Sequence, residues 1–251
     1  MKVSQLPLWE DNYVYVLELG GSVVCVDPGH GVLVKDFLDS RGLGLDYILT
    51  THHHADHVGG NLYLKNAYNC KIIGPYLDRD RIPGIDIAVD DSDCLDIADV
   101  VFKAYSTPGH TRGHCVYYVE RYGKLFVGDT LFAMGCGRLF EGTAFQMWNS
   151  LSKLIKLPPE TMVYCAHEYT LANGRFALTI EPDNKNLRKR FYGVQASRAK
   201  GQPTVPFLLK EELATNPFLR ADQSNIRQRL GVDDASDAEV FQEIRRRKDV
   251  F

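Results

Sequence analysis

The chain has 251 residues, 45% hydrophobic and 24% charged, with a formal net charge of −3. That length suits one large domain, or a domain of about 150 residues with a smaller companion, and the composition excludes a disordered, fibrous or repeat-built protein. No apolar stretch approaches the ~20 residues of a membrane span, and Met1-Lys2-Val3-Ser4-Gln5-Leu6-Pro7 lacks a secretory apolar core, so a cytoplasmic protein off the membrane is expected.

In chain order, β-branched and aromatic runs predict strands at residues 13–17, 23–26, 47–50, 71–73, 100–104, 115–119 and 162–165. Helical patterns fall between some of them, near Val32 to Ser40, Val58 to Tyr68 and Thr143 to Leu157. Alternation of this kind predicts an α/β arrangement with helices outside β-sheets. Beyond residue 167 the pattern turns helical, near Leu171 to Ile180, Asn184 to Ala199, Phe207 to Ala214 and Ala235 to Lys248, with Gly201-Gln202-Pro203 as a loop. Two domains are therefore expected, residues 1–167 and a small helical domain over 168–251.

Charge divides at the same place. Residues 168–251 carry 15 Lys/Arg against 12 Asp/Glu, and residues 1–167 carry 14 against 20. A modestly basic end beside an acidic body fits a small anionic substrate, whereas a nucleic-acid binder would show a stronger continuous basic patch, so no nucleic acid is expected. Without a heptad seam or a long exposed apolar stripe, a monomer with no protein partner is expected. The six cysteines, Cys25, Cys70, Cys94, Cys115, Cys136 and Cys165, are scattered without a Cys-x-x-Cys and read as buried free thiols.

Four of the eight histidines lie in Thr51-His52-His53-His54-Ala55-Asp56-His57-Val58-Gly59-Gly60, directly after the strand-like run ending at Thr50. His-x-His-x-Asp-His at a strand end offers donors to two metal centres at once, and Gly59-Gly60 allows close backbone packing where a helix begins. Imidazole and carboxylate suit zinc, iron or manganese, and the lack of a neighbouring cysteine argues for a catalytic site over a structural thiolate one. Three more strand-end candidates follow: His110 in Thr107-Pro108-Gly109-His110, Asp129 in Val127-Gly128-Asp129-Thr130, and His167 in Cys165-Ala166-His167-Glu168. His30, His53 and His114 are expected outside the ligand set. Asp27, before Pro28-Gly29, either orients a ligand histidine or fills a turn.

These motifs resemble the metallo-β-lactamase superfamily, which implies an αββα sandwich over residues 1–167. By that resemblance His52, His54 and His110 hold one divalent ion, Asp56, His57 and His167 a second, and Asp129 bridges them, with zinc first and iron or manganese as alternatives. Together they would activate water for hydrolysis. Over nearly its whole length the chain is similar to hydroxyacylglutathione hydrolases, the glyoxalase II family, through Asp11-Asn12-Tyr13, Gly135-Cys136-Gly137-Arg138-Leu139-Phe140-Glu141-Gly142-Thr143, His167-Glu168-Tyr169-Thr170, Asn216-Pro217-Phe218-Leu219-Arg220 and Arg245-Arg246-Arg247-Lys248-Asp249. The resemblance implies hydrolysis of S-D-lactoylglutathione to D-lactate and glutathione, the second step of methylglyoxal detoxification.

It also implies a glutathione thioester bound by Arg138, Tyr169, Arg245 and Lys248. Arg245 and Lys248 stand three apart on one face of the last helix, suited to an anion. Phe140 stands where the family often has a tyrosine, which removes a hydroxyl from the substrate contacts. Other reactions on the same framework are a lactonase, a β-lactamase and a glutathione persulfide dioxygenase.

Overall fold

The early β-branched runs assemble into a six-stranded sheet in the order β1 (Lys2–Leu8), β2 (Asn12–Glu18), β3 (Val23–Val26), β4 (Tyr47–Leu49), β5 (Lys71–Pro75) and β6 (Ile87–Val89). β1 to β3 pair antiparallel, and β3 to β6 run parallel. The parallel pairs need crossovers, which α1 (Gly31–Ser40) supplies between β3 and β4, α2 (Ala55–Val58) with α3 (Asn61–Tyr68) between β4 and β5, and a 3-10 turn at Tyr76–Arg81 between β5 and β6. β2 and β3 are buried along almost their whole length and read as unbroken apolar runs because both faces of the sheet are covered. On one face Val14, Val16, Cys25, Ile48 and Ile72 form a core with Val34, Leu38 and Leu64 of the helices.

A second sheet faces the other side. β7 (Cys94–Ile97), β8 (Val100–Ser106), β9 (Cys115–Val119) and β10 (Lys124–Gly128) pair antiparallel in sequence. Tyr15 of β2 meets Phe126 of β10 with ring centroids 5.7 Å apart, and the buried Tyr117 hydroxyl donates to Thr50 O at 2.9 Å. The computed structural model describes all residues, Met1–Phe251. These elements belong to one compact unit, Met1–Ser106 with Arg112–Gly128; Thr107–Thr111 with Asp129–Phe251 forms another.

The second unit holds the hairpin β11 (Leu131–Phe132) and β12 (Gly135–Cys136), then α4 (Ala144–Leu154), β13 (Met162–Cys165), α5 (Thr170–Ile180), α6 (Lys185–Ala199), β14 (Phe207–Leu208), α7 (Leu209–Thr215), α8 (Ser224–Leu230) and α9 (Asp237–Asp249). α4 and α9 both begin with a capping box, Thr143 with Gln146 and Ser236 with Glu239, which satisfies orphan N–H groups at their first turns. Their packing brings Trp148 against Phe241, with Phe218 and Phe176 continuing a buried aromatic row.

Two expected helices differ in detail. The pattern from Val58 to Tyr68 is broken at Gly59-Gly60 into α2 and α3, because the backbone turns there against Pro28 and Gly29. The helix expected from Phe207 starts at Leu209, since Phe207 and Leu208 pair with Val163 and Met162 as β14. No cysteine is in a disulfide, and five are buried; Cys94 is exposed at the start of the edge strand β7, against expectation. No helix is long and apolar enough to cross a membrane.

Candidate metal centre

β4 ends at Leu49, and the chain then delivers Thr51 to His54 as a loop into α2, which carries Asp56 and His57. A Cβ at Gly59 would meet Gly29 O at 2.6 Å, and one at Gly60 would meet Pro28 O at 2.5 Å, so only glycines let the Pro28-Gly29 turn press this closely on the ligand loop. That approach brings Asp27, held at φ +50°, under the loop. Its Oδ1 accepts from Thr51 N at 2.7 Å, and its Oδ2 accepts from Thr51 Oγ1 at 2.7 Å and faces His57 Nδ1 at 3.0 Å.

Within this unit the four candidate donors crowd together. His52 Nε2 and His54 Nδ1 are 2.9 Å apart, and His57 Nε2 is 3.4 Å from Asp56 Oδ2. Asn12 donates to the same Asp56 oxygen at 3.0 Å. His52 Nδ1 lies 3.0 Å from Thr51 Oγ1, and its ring stacks on the buried His114 at 4.8 Å. His53, between two candidate ligands, turns instead to Asp78, 2.8 Å from its Nδ1. His30 caps α1 at Leu33 N.

The second unit carries the other three. Gly109, at φ +152°, turns the chain into His110; a Cβ at Gly142 would strike Gly109 Cα at 2.6 Å and one at Gly137 would strike Asp129 O at 1.9 Å, so the Gly-rich segment after β12 wraps tightly around both ligands. His110 Nδ1 is 2.8 Å from Arg138 O, which sets the tautomer and aims Nε2 at Asp129 Oδ2, 3.4 Å away. His167, at the end of β13, places its Nε2 3.4 Å from Asp129 Oδ1. Asp129 thus presents one oxygen to each histidine, and all three residues are buried.

Those spacings test the fit of a metal. Charged N–H···O hydrogen bonds run about 2.7–2.9 Å, whereas two donors on a tetrahedral ion with bonds of ~2.0–2.1 Å stand about 3.3 Å apart. The 3.4 Å separations of Asp56 with His57 and of Asp129 with His110 and His167 match the second case, whereas His52 and His54, at 2.9 Å, stand closer than co-ligands do and would have to part to hold an ion together. One ring nitrogen of His57 and of His110 is committed to a carboxylate or carbonyl, the usual way a ligand histidine is oriented. Burial pushes the thiols of Cys115 and Cys165 up, and the groups placed to hold an ion are made of histidine and aspartate with no cysteine among them.

The expected substrate residues all sit in the second unit. The Phe140 ring meets His110 edge-on at 5.2 Å, and the Tyr169 ring stacks on His167 at 4.7 Å. Lys248 is half-buried over the rings of Phe176 and Phe251; burial and the neighbouring charges of Arg245 and Arg138 push its ammonium pKa down. Arg245 differs from a simple partner of Lys248: it is buried, with Nη2 donating to Asp249 at 2.7 Å and Nη1 to Cys136 O at 3.2 Å. Of the residues that support the ligand loop, Asp27 before Pro28-Gly29 and Asn12 inside the Asp11-Asn12-Tyr13 match carry a sequence signal, Asp27 taking the histidine-orienting alternative of its two, whereas Thr51 carries none of its own.

Fold and donors define the class. Residues 8–167 match the metallo-beta-lactamase superfamily, and residues 168–251 match the hydroxyacylglutathione hydrolase C-terminus. A hydroxyacylglutathione hydrolase of Methylococcus capsulatus is 54% identical over 253 residues, covering 100% of this chain and 99% of that one. The crystal structure of ETHE1 from Myxococcus xanthus superposes with a TM-score of 0.70 at 25% identity, over 98% of this chain and 90% of that one. TTHA1623 in a di-iron-bound form gives a TM-score of 0.57 at 27% identity, over 66% of this chain and 92% of that one. The chain belongs to the metallo-beta-lactamase superfamily and, within it, to the hydroxyacylglutathione hydrolase family.

Proposed function

We propose that the protein hydrolyses S-D-lactoylglutathione and related 2-hydroxyacylglutathione thioesters at a two-metal centre, releasing D-lactate and glutathione. The observation that carries this reading is Asp129, whose two carboxylate oxygens face different histidines at the separation of co-ligands. In this reading His52, His54 and His110 hold one ion, Asp56, His57 and His167 the other, and Asp129 bridges. Zinc is the first candidate on donor chemistry, with iron or manganese accepting the same ligands. When bound, such a pair lowers the pKa of a shared water toward ~7 and offers positive charge to a carbonyl oxygen.

The chain's own groups do the rest. Asp27 and Arg138 O hold the imidazoles of His57 and His110 in one tautomer, so that Nε2 is the donor in each. Lys248 and Arg138 supply positive charge for the carboxylates of glutathione, and Tyr169 offers a hydroxyl beside His167. Phe140 offers only an apolar ring at the same mouth. A thiol leaving group, with a reference pKa near ~8.5, departs without the protonation an amide nitrogen needs. Residues 1–167 act as the metal-binding catalytic domain and 168–251 as the glutathione-binding domain. Six cysteines without a disulfide fit a reducing cytoplasm.

Product analysis tests the proposal: metal-loaded protein given S-D-lactoylglutathione should yield D-lactate and free thiol in equal amounts. Preferential turnover of a lactone, a β-lactam or glutathione persulfide would replace it.

A further inference from the structure

The hairpin β11–β12 joins Asp129 to Arg138 in sequence, yet its tip is gripped by side chains from the helices. Its turn, Ala133-Met134, puts a non-glycine residue, Met134, at φ +55°, a conformation an L side chain adopts at a cost. Three residues hold it there. Glu212 of α7, fully buried, accepts from Met134 N at 2.8 Å. Asn216, also fully buried, donates to Phe132 O at 3.2 Å and Gly135 O at 2.9 Å, and to Glu212 Oε2 at 2.9 Å. Asn173 of α5 donates to Ala133 O at 3.2 Å and lies where a Cβ on Gly135 would fall. The far oxygen of Glu212 pairs with Arg190 of α6.

Burying a carboxylate and two amides costs free energy unless every polar atom is satisfied, so a network this complete around two turn residues is more than packing needs. What the hairpin carries supplies the reason. Gly137 N donates to Thr130 O at 3.2 Å and closes its base beside Asp129, and Arg138 O orients His110. Phe132 touches the rings of both His167 and Tyr169.

We infer that Glu212 and Asn216 are positioning residues for the metal centre: from α7 and from the residue that ends it, they lock the β11–β12 turn and so fix Asp129 and, through Arg138 O, His110. The inference rests on the two-metal reading. It assigns the helical domain a second task besides binding substrate, which is to hold two ligands of the catalytic domain in register.

Glu212→Leu removes both the grip on Met134 N and the Arg190 pair, whereas Glu212→Gln keeps an oxygen toward Met134 N and Asn216 and loses only the Arg190 pair. Metal content and affinity are measured on purified apo-protein reloaded with zinc, alongside thermal unfolding and the absorption spectrum of the cobalt-substituted form. Both variants should unfold at lower temperature, but only Glu212→Leu should lose about tenfold or more in affinity for metal and shift the cobalt bands, with the glutamine restoring both. Asn216→Ala, which leaves the Arg190 pair in place, should reproduce the metal defect and keeps the test decisive if Glu212→Leu does not fold. Folded Glu212→Leu or Asn216→Ala protein with wild-type affinity and cobalt spectrum overturns the inference. Wild-type protein that binds fewer than two metals overturns the two-metal reading instead.

Discussion

Asp27 Oδ2 stands 3.0 Å from Nδ1 of His57, with both side chains buried, and Thr51 donates to both oxygens of the same carboxylate. That contact turns a turn residue into the group that fixes a ligand's tautomer. A neutral imidazole whose Nδ1–H is donated to Asp27 must offer Nε2 as its lone-pair donor. Asp27→Asn should therefore leave the fold in place and weaken metal binding by about 10–100-fold, read by competition with a chromophoric chelator. Unchanged affinity would return Asp27 to a turn-filling role.

Asp129 is the one candidate bridge, and Asp129→Ala should cost the protein its metal pair together with thioester hydrolysis. Elemental analysis of the dialysed variant checks this. Two retained ions with normal turnover would reject the bridging role.

Arg245 and Lys248 share a helix face but not an environment. Lys248→Ala should raise KM for a glutathione thioester several-fold with little change for a small neutral thioester, and the effect should shrink with added salt. Arg245→Ala should do the same and also lower the unfolding temperature, because Arg245 pairs with Asp249 within α9 and ties the helix to Cys136 O next to the Gly-rich segment. Equal effects of both variants on both substrates would rule out charge recognition.

The lowered pKa of Lys248 sets a pH dependence. The folded protein holds this proton less readily than the unfolded chain, so the charge destabilises the ligand-free fold at neutral pH. Stability recovers as pH rises from the folded toward the unfolded pKa. Lys248→Met should raise the unfolding temperature of ligand-free protein at pH 7. Affinity for a non-hydrolysable S-alkylglutathione, measured by calorimetry, should fall at a pH below that of an ordinary lysine, and this limb should vanish in the variant. A flat wild-type profile through that range would exclude Lys248 from the anion site.

How far the site was legible follows from where its information lies. The seven candidate ligands stand in short motifs at strand ends, and the folded chain does set Asp56 with His57, and Asp129 with both His110 and His167. Asp27 was ambiguous because a carboxylate before Pro-Gly looks the same whether it fills a turn or reaches 30 residues onward to His57. The engagement of Arg245 turns on Cys136 O, 109 residues away, although Asp249 four residues on was a visible partner. β1 has no clear strand signature because Ser4, Gln5 and Pro7 interrupt its apolar pattern, which an edge strand tolerates. β11 and β12 are two residues each and exist through their neighbours Asn173, Glu212 and Asn216, which no local periodicity reports.

The central claim is that two cations act together, and stepwise metal titration of metal-free protein tests it most directly. Hydrolysis of S-D-lactoylglutathione should be absent without metal and reach its plateau at about two equivalents per chain, the number a bridging carboxylate implies. Full activity at one equivalent, or turnover by metal-free protein, would contradict it.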